Sequence, residues 1–142
     1  MNTLIISKDI YTALTLHNSS SGSGSGSGDG SLYSYVGTRV FPIVADEGTN
    51  YPFITYQRTG ITASRTKCGI YEDTVNFSVN ILTQDYLSGL EIGDEVRKAI
   101  EKNLTCTIEG CSYSDILLVG ANEQYSADGY VQTLNFQVIV NN

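Results

Sequence analysis

The residues of this 142-residue chain that could do chemistry are few and scattered. His17 is the sole histidine, and so the only side chain whose ordinary pKa suits proton transfer near neutrality. It ends a helical pattern beside a Gly/Ser tract, where a cation at a helix C-terminus is the simpler role. Cys68, Cys106 and Cys111 form no C-x-x-C pair. Their odd count does not suit a secreted disulfide framework, so free thiols are expected. Glu91, Asp94, Glu95 and Glu101 could gather a cation, but Arg97, Lys98 and Lys102 interleave with them. A salt-bridged, solvated helix face is the expected reading.

Two motif matches carry little. GSGSGSGDG neither follows a strand nor opens an amphipathic helix, so it is not a dinucleotide fingerprint. Asn103-Leu104-Thr105 matches a glycosylation sequon, which matters only in a secreted chain. With no nucleophile beside a base, no metal cluster and no phosphate cradle, the sequence is expected to have no catalytic, cofactor-binding or metal residues and no cofactor. A small domain of this kind works by presenting surface.

Charge narrows the partners. Fifteen acidic and eight basic residues leave a net charge of −7, which does not suit a surface that neutralises nucleic-acid phosphates. Three of the eight basic residues, Arg58, Arg65 and Lys67, fall within ten positions. They read either as a solvated loop or as a contact surface for an acidic partner. No apolar run is long enough to span a bilayer, and MNTLIISKDIY lacks the plan of a secretory leader. A protein made and used in a cytoplasm is expected, with no membrane partner.

The elements follow from periodicity. SKDIYTALTLHN, residues 7–18, predicts a helix with Ser7 as N-cap and Ile10, Ala13 and Leu14 on one face. Residues 19–31 are Ser and Gly apart from Asp29 and are expected to form a flexible coil spanning about 20 Å within a single domain of residues 1–142. LYSYVG predicts a short helical turn ended by Gly37. RVFPIVA reads as a first strand, at an edge or bulge because Pro42 cannot donate to a ladder, and Pro52 begins a second.

Val75, Phe77, Val79 and Ile81 alternate with Asn76, Ser78 and Asn80 in a strand with one core face and one polar face. The segment between these strands predicts a long hairpin carrying the basic residues. Residues 85–104 predict the main helix, capped by Asp85 or by Ser88 with Glu91, with Tyr86, Leu90, Gly93, Val96 or Arg97, Ile100 and Leu104 recurring at helical steps. Gly89 and Gly93 share a face that can lie close on a sheet, and Asp94 with Lys98 forms an i, i+4 pair. Two or three strands follow, with a turn at Asp128 and Gly129. The order predicts an α+β fold: a mainly antiparallel β-sheet of about four to five strands with two main helices packed on one face.

With the elements in order, four stretches resemble the tail-completion family of long-tailed bacteriophages, also described as tail terminators or tail-to-head joining proteins. They are IYTAL, VGTRVFPIVADEGTNYPFITYQR, TVNFSVNILTQDY leading into GDEVRKAIEKNL, and DGYVQTLNFQV. Arg39, Pro42, Pro52, Phe53 and Tyr56 stand at the most recognisable positions. The resemblance implies a non-enzymatic virion protein at the head-proximal end of the tail, assembled in the host cytoplasm. It implies a homo-oligomeric ring, six subunits in the family's manner, that caps the tube, stops its polymerisation and meets the tail tube protein and the head connector or completion protein.

A closed ring needs two unlike patches on each subunit. Arg58, Arg65 and Lys67 on one side, and Glu91 and Glu95 on the other, are the candidates by charge. Six copies at −7 each would carry −42, so DNA would pass through without adhering and without sequence-specific contacts. The Gly/Ser tract departs from the short connection usual in the family. Two alternatives stay open: a small α+β binding module for a peptide or small molecule, and an enzyme with a carboxylate site that the sequence does not reveal.

Overall fold

The computed structural model describes residues 6–15, 32–37, 39–65, 71–104, 112–126 and 129–141. The elements in chain order are α1 (Ile6–Thr15), α2 (Leu32–Val36), β1 (Val40–Pro42), β2 (Phe53–Arg65), β3 (Tyr71–Thr83), α3 (Tyr86–Asn103), β4 (Ser112–Ser126) and β5 (Gly129–Asn141). One sheet holds all five strands in the order β1-β2-β3-β5-β4. The Gly/Ser tract, His17, Lys67, the three cysteines and Asp128 lie outside the described residues.

The sheet is mainly antiparallel, as expected, with one parallel pair at its β1 margin. β1 runs parallel to β2, pairing Val40 with Ile54 and Pro42 with Tyr56, while β2–β3, β3–β5 and β5–β4 are antiparallel. A three-residue strand that enters from α2 has no hairpin to set its direction, so periodicity could not reveal it. β5, last in the chain, slots between β3 and β4. α3 therefore carries the chain past the place that β5 later fills.

Alternation decides which face is covered. Val75, Phe77, Val79 and Ile81 on β3, and Leu134, Phe136, Val138 and Val140 on β5, point to one side and are buried beneath the helices. The Phe77 and Phe136 rings stack at 5.3 Å in the middle of this core, directly opposite one another in the register. α1 packs over β1 and β2, and α3 over β3, β5 and β4. The expectation of helices gathered on one face therefore holds.

Helix boundaries refine two expectations. α1 begins at Ile6, so Ser7 lies inside the first turn and does not cap it. For α3 the choice between caps falls to Asp85, whose extended backbone ends β3's connection and whose carboxylate accepts the Ser88 N–H at 3.2 Å. Gly89 and Gly93 are both buried against the sheet as expected, and a Cβ at Gly89 would come within 3.0 Å of Thr83 Oγ1. The buried stripe consists of these glycines with Ile92, Val96, Ala99, Ile100 and Leu104. Tyr86 and Leu90, expected on that stripe, are exposed instead. At about 100° per residue, Leu90 is turned well away from the face that Gly89 fixes.

Candidate functional site

Because the helices cover one face of the sheet, function has to be sought on the open face and at the two margins. The open face is built from the alternate residues of each strand. One row across it runs Thr55, Asn80, Thr133 and Asn122, and the next Gln57, Ser78, Asn135 and Gly120. Hydrogen bonds tie the first row together: Thr133 Oγ1 donates to Asn80 Oδ1 at 2.7 Å, and Asn80 Nδ2 to Thr55 Oγ1 at 3.4 Å. The face thus presents hydroxyls and carboxamides with very little charge.

At one end the row changes to Phe53, Leu82, Val131 and Gln124, and the loop from Ile43 to Tyr51 folds over it. Loop and sheet enclose an open cleft of about 590 Å³. Asp46 is its only carboxylate among the described residues, and the Tyr51 ring, 5.3 Å from that of Phe53, helps form its wall. Such a floor, apolar at one end and amide-lined at the other, can hold an uncharged or peptide-like group.

The β1 margin is held by the residues that carry the family resemblance. Arg39 Nε donates to the Pro52 carbonyl at 2.9 Å and Nη2 to the Tyr35 carbonyl at 3.2 Å, clamping the last turn of α2 to the entry of β2. Pro52, expected to open β2, stands just before it, after a cis Tyr51–Pro52 bond. Pro42 ends β1 at the sheet edge, as its missing donor predicts. Beyond it Ile43 adopts φ 65°, with Val44 N–H bonded to the Pro42 carbonyl at 2.6 Å and Ile43 N–H to the Tyr56 carbonyl at 2.8 Å. A β-branched residue in the left-handed region is strained by on the order of 1–3 kcal/mol, the kind of cost that clusters at functional segments. Ile43 and Val44 are 69% and 73% exposed.

The β4 margin is longer and more irregular. β4 runs for 15 residues along the free edge, broken by register shifts between Ser114 and Leu117 and between Leu118 and Gly120, with Asp115 at φ 49°. Bulges of this kind limit what can add to an edge. Tyr113 donates to the buried carboxylate of Asp9 and so ties the edge to α1; burial first, then that bond, pushes its phenol well above the ordinary range. At the other end Glu123 accepts from Gln132 Nε2 at 3.0 Å and from Tyr86 Oη at 2.8 Å, which holds its carboxyl below the usual range and raises the Tyr86 phenol. This network anchors the start of α3 to β4, leaving Leu87 (66% exposed) and Leu90 (44%) facing outward.

The charged candidates separate on this frame. On α3, Asp94 and Glu95 meet Lys98 at 3.1 and 3.7 Å, and Arg97 meets Glu101 at 3.0 Å. The salt-bridged face was legible in the sequence, and Glu95 belongs to it. Glu91 is exposed and has no ion-pair partner among the described residues. Arg58 lies half-buried on β2, likewise without an ion-pair partner among them, and lines a shallow recess with Pro42 and Ile43. Arg65 ends β2, about 23 Å further along the strand from Arg58 at 3.3 Å per residue. No three His, Cys, Asp or Glu side chains converge among the described residues, and no described helix is long and apolar enough to cross a membrane.

Comparison with known proteins fits this geometry. No curated protein matches the chain. A chain from the virion of a native gene transfer agent particle shares the fold at TM-score 0.64 and 14% identity, over 94% of this chain and 92% of that one. Residues 27–141 match the family described as Tail completion protein gp17, a match that leaves α1 outside it but takes in the whole sheet and α3. By that match the chain belongs to the tail completion protein family and is a structural protein of the phage tail.

Proposed function

We propose that the protein caps the tail tube as a ring, ends tube polymerisation and provides the surface that joins tail to head. Family membership over residues 27–141 is the observation that carries this reading. The fold suits it: a rigid sheet with one face closed by helices leaves two unlike margins for neighbours above, below or beside it. Ring closure in the family's six-subunit form requires such unlike patches. Arg65, the last residue of β2, and Lys67, two positions on in the sequence, carry the charge to meet an acidic partner in the tube or the head. An acidic ring lets DNA pass through its channel without holding it. The chain acts as one domain, without chemistry of its own.

The test is to add purified protein to polymerising tail tubes and measure the distribution of tube lengths together with the tube ends by electron microscopy. Shorter tubes with a ring of extra density at one end are expected. Unchanged lengths and bare ends would overturn the proposal. A second reading, a peptide-binding module, is favoured by the cleft under residues 43–51. Thr133→Trp would fill that cleft: loss of partner binding with tube capping intact favours the module, and retained partner binding removes it.

A further inference from the structure

The β1 margin of the sheet and the outward side of α3 carry patches that match one another. At the β1 margin, exposed Ile43 shares a recess with Arg58, a cation with no ion-pair partner among the described residues, and exposed Val44 follows it on the cleft side near Asp46. On the outward side of α3, Leu87, Leu90 and Glu91 stand at i, i+3 and i+4, so they form one face of two apolar groups and an anion, again with no ion-pair partner among the described residues. Each patch sets an apolar pair near a charge without an ion-pair partner among the described residues, Arg58 in one and Glu91 in the other; Asp46 stands on the cleft side of the first, and Asp94 beyond the second is paired with Lys98. We propose that Leu87, Leu90 and Glu91 of one copy seat against Ile43, Val44 and Arg58 of the next, making the head-to-tail contact that closes the ring. This rests on the ring reading above and names its interface.

Three observations favour a second copy as the occupant. The patches lie on different elements, one at the β1 end of the strand order and one on the outward side of α3, whose start Tyr86 fixes to edge strand β4 through Glu123. Two unlike patches at separate places are what a heterologous, propagating contact needs, and a two-fold dimer would need one self-complementary patch instead. Charge complementarity pairs the two and opposes the like-with-like alternatives, in which Arg58 would face Arg58 or Glu91 would face Glu91. Finally, both patches are held by the fold: Ile43 by its strained turn and two backbone bonds, Leu87 and Leu90 by the Asp85 cap. Preorganised apolar groups lose little freedom on docking.

The test is the mass of the assembly by light scattering, with melting curves as a check on folding. Val44→Asp and Leu87→Asp should each weaken self-association on the order of thirtyfold or more and leave single copies. Mixed in equal amounts they should form a two-copy species and stop there, since each supplies the intact patch the other lacks. Arg58→Glu and Glu91→Arg should each weaken assembly about tenfold, and the doubly exchanged variant should regain it. Where an aspartate disturbs folding, carbodiimide treatment of the Arg58→Lys variant should give an amide between position 58 of one copy and Glu91 of another.

Rings that persist in both aspartate variants, or the absence of that cross-link from assembled rings, would overturn the interface and leave the ring reading standing. A wild-type chain that stays single in solution and on tail tubes would overturn the ring reading and the interface with it.

Discussion

The two faces of the sheet share the same strands and the same register, yet one is sealed and the other is open. On the helix-covered face Phe77, Phe136, Val79 and Val138 are fully buried. One residue along, Asn76, Ser78, Asn135 and Gln137 form the open face. The covered face holds the fold together by removing apolar area from water. The open face keeps its polar groups satisfied by cross-strand bonds and solvent, so it contributes shape and leaves stability to its neighbour. A shift of one residue in register would exchange the two faces and leave the core polar, which is why alternation specifies the pairing so firmly.

Substitutions on opposite faces should break this contrast most visibly. Phe136→Ala removes half of the central stacked pair and is expected to cost about 3–5 kcal/mol, read as a lowered denaturation midpoint with unchanged slope. Asn76→Ala on the neighbouring position of the other face should stay within about 0.5 kcal/mol. Comparable losses at the two positions would mean the open face is not what it is described to be.

Next in size is the strand entry. A Cβ at Gly129 would sit 2.7 Å from the Thr83 carbonyl oxygen and 3.1 Å from the Tyr51 ring, so Gly129→Ala should force the β5 start away from β3 and cost about 1–3 kcal/mol. Tyr113→Phe, which takes a donor from the buried Asp9 carboxylate, should cost a similar or smaller amount, about 1–3 kcal/mol. It has a second signature in pH. The Tyr113 phenol titrates higher in the fold than in the unfolded chain, where it ionises near about 10, so its contribution is complete below that pH and is lost as pH rises above it. The wild type should lose stability above about pH 10 more steeply than the phenylalanine variant.

The smallest effect concerns Glu123. Gln132's amide, and then the Tyr86 phenol, depress its carboxyl. Its contribution is therefore present above the ordinary carboxylate range and is lost as pH falls through the depressed value. Tyr86→Phe should move the Glu123 titration, followed by NMR, part of the way back towards the ordinary range. An unmoved titration would mean that Tyr86 does not hold the α3 start to β4.

Much of this molecule was legible in its residues. The β3 and β5 alternation, the Asp94–Lys98 pair, the glycine face of α3 and the edge position marked by Pro42 each depend on neighbours within a few positions, where side-chain direction is fixed by the backbone period. The outward leucines of α3 were missed although a signal existed. Gly89 and Gly93 already marked the contact face, and Leu87 and Leu90 fall off it at helical spacing. The strained turn at Ile43 left no such signal, because it is created by bonds to Pro42 and Tyr56 that only the packed sheet supplies.

Sequence by itself determined the α+β class, the polarity of each strand face, the extent of the main helix and the family resemblance, because all of these are written in local period and residue type. Tertiary structure alone decided that β1 lies parallel to β2, that β5 enters between β3 and β4, and that Ile43 and Val44 at the β1 margin and Leu87 and Leu90 on α3 stand exposed. Strand partners are chosen between residues tens of positions apart, by the burial each arrangement achieves and the hydrogen bonds it satisfies across the whole sheet. No window of sequence contains that comparison.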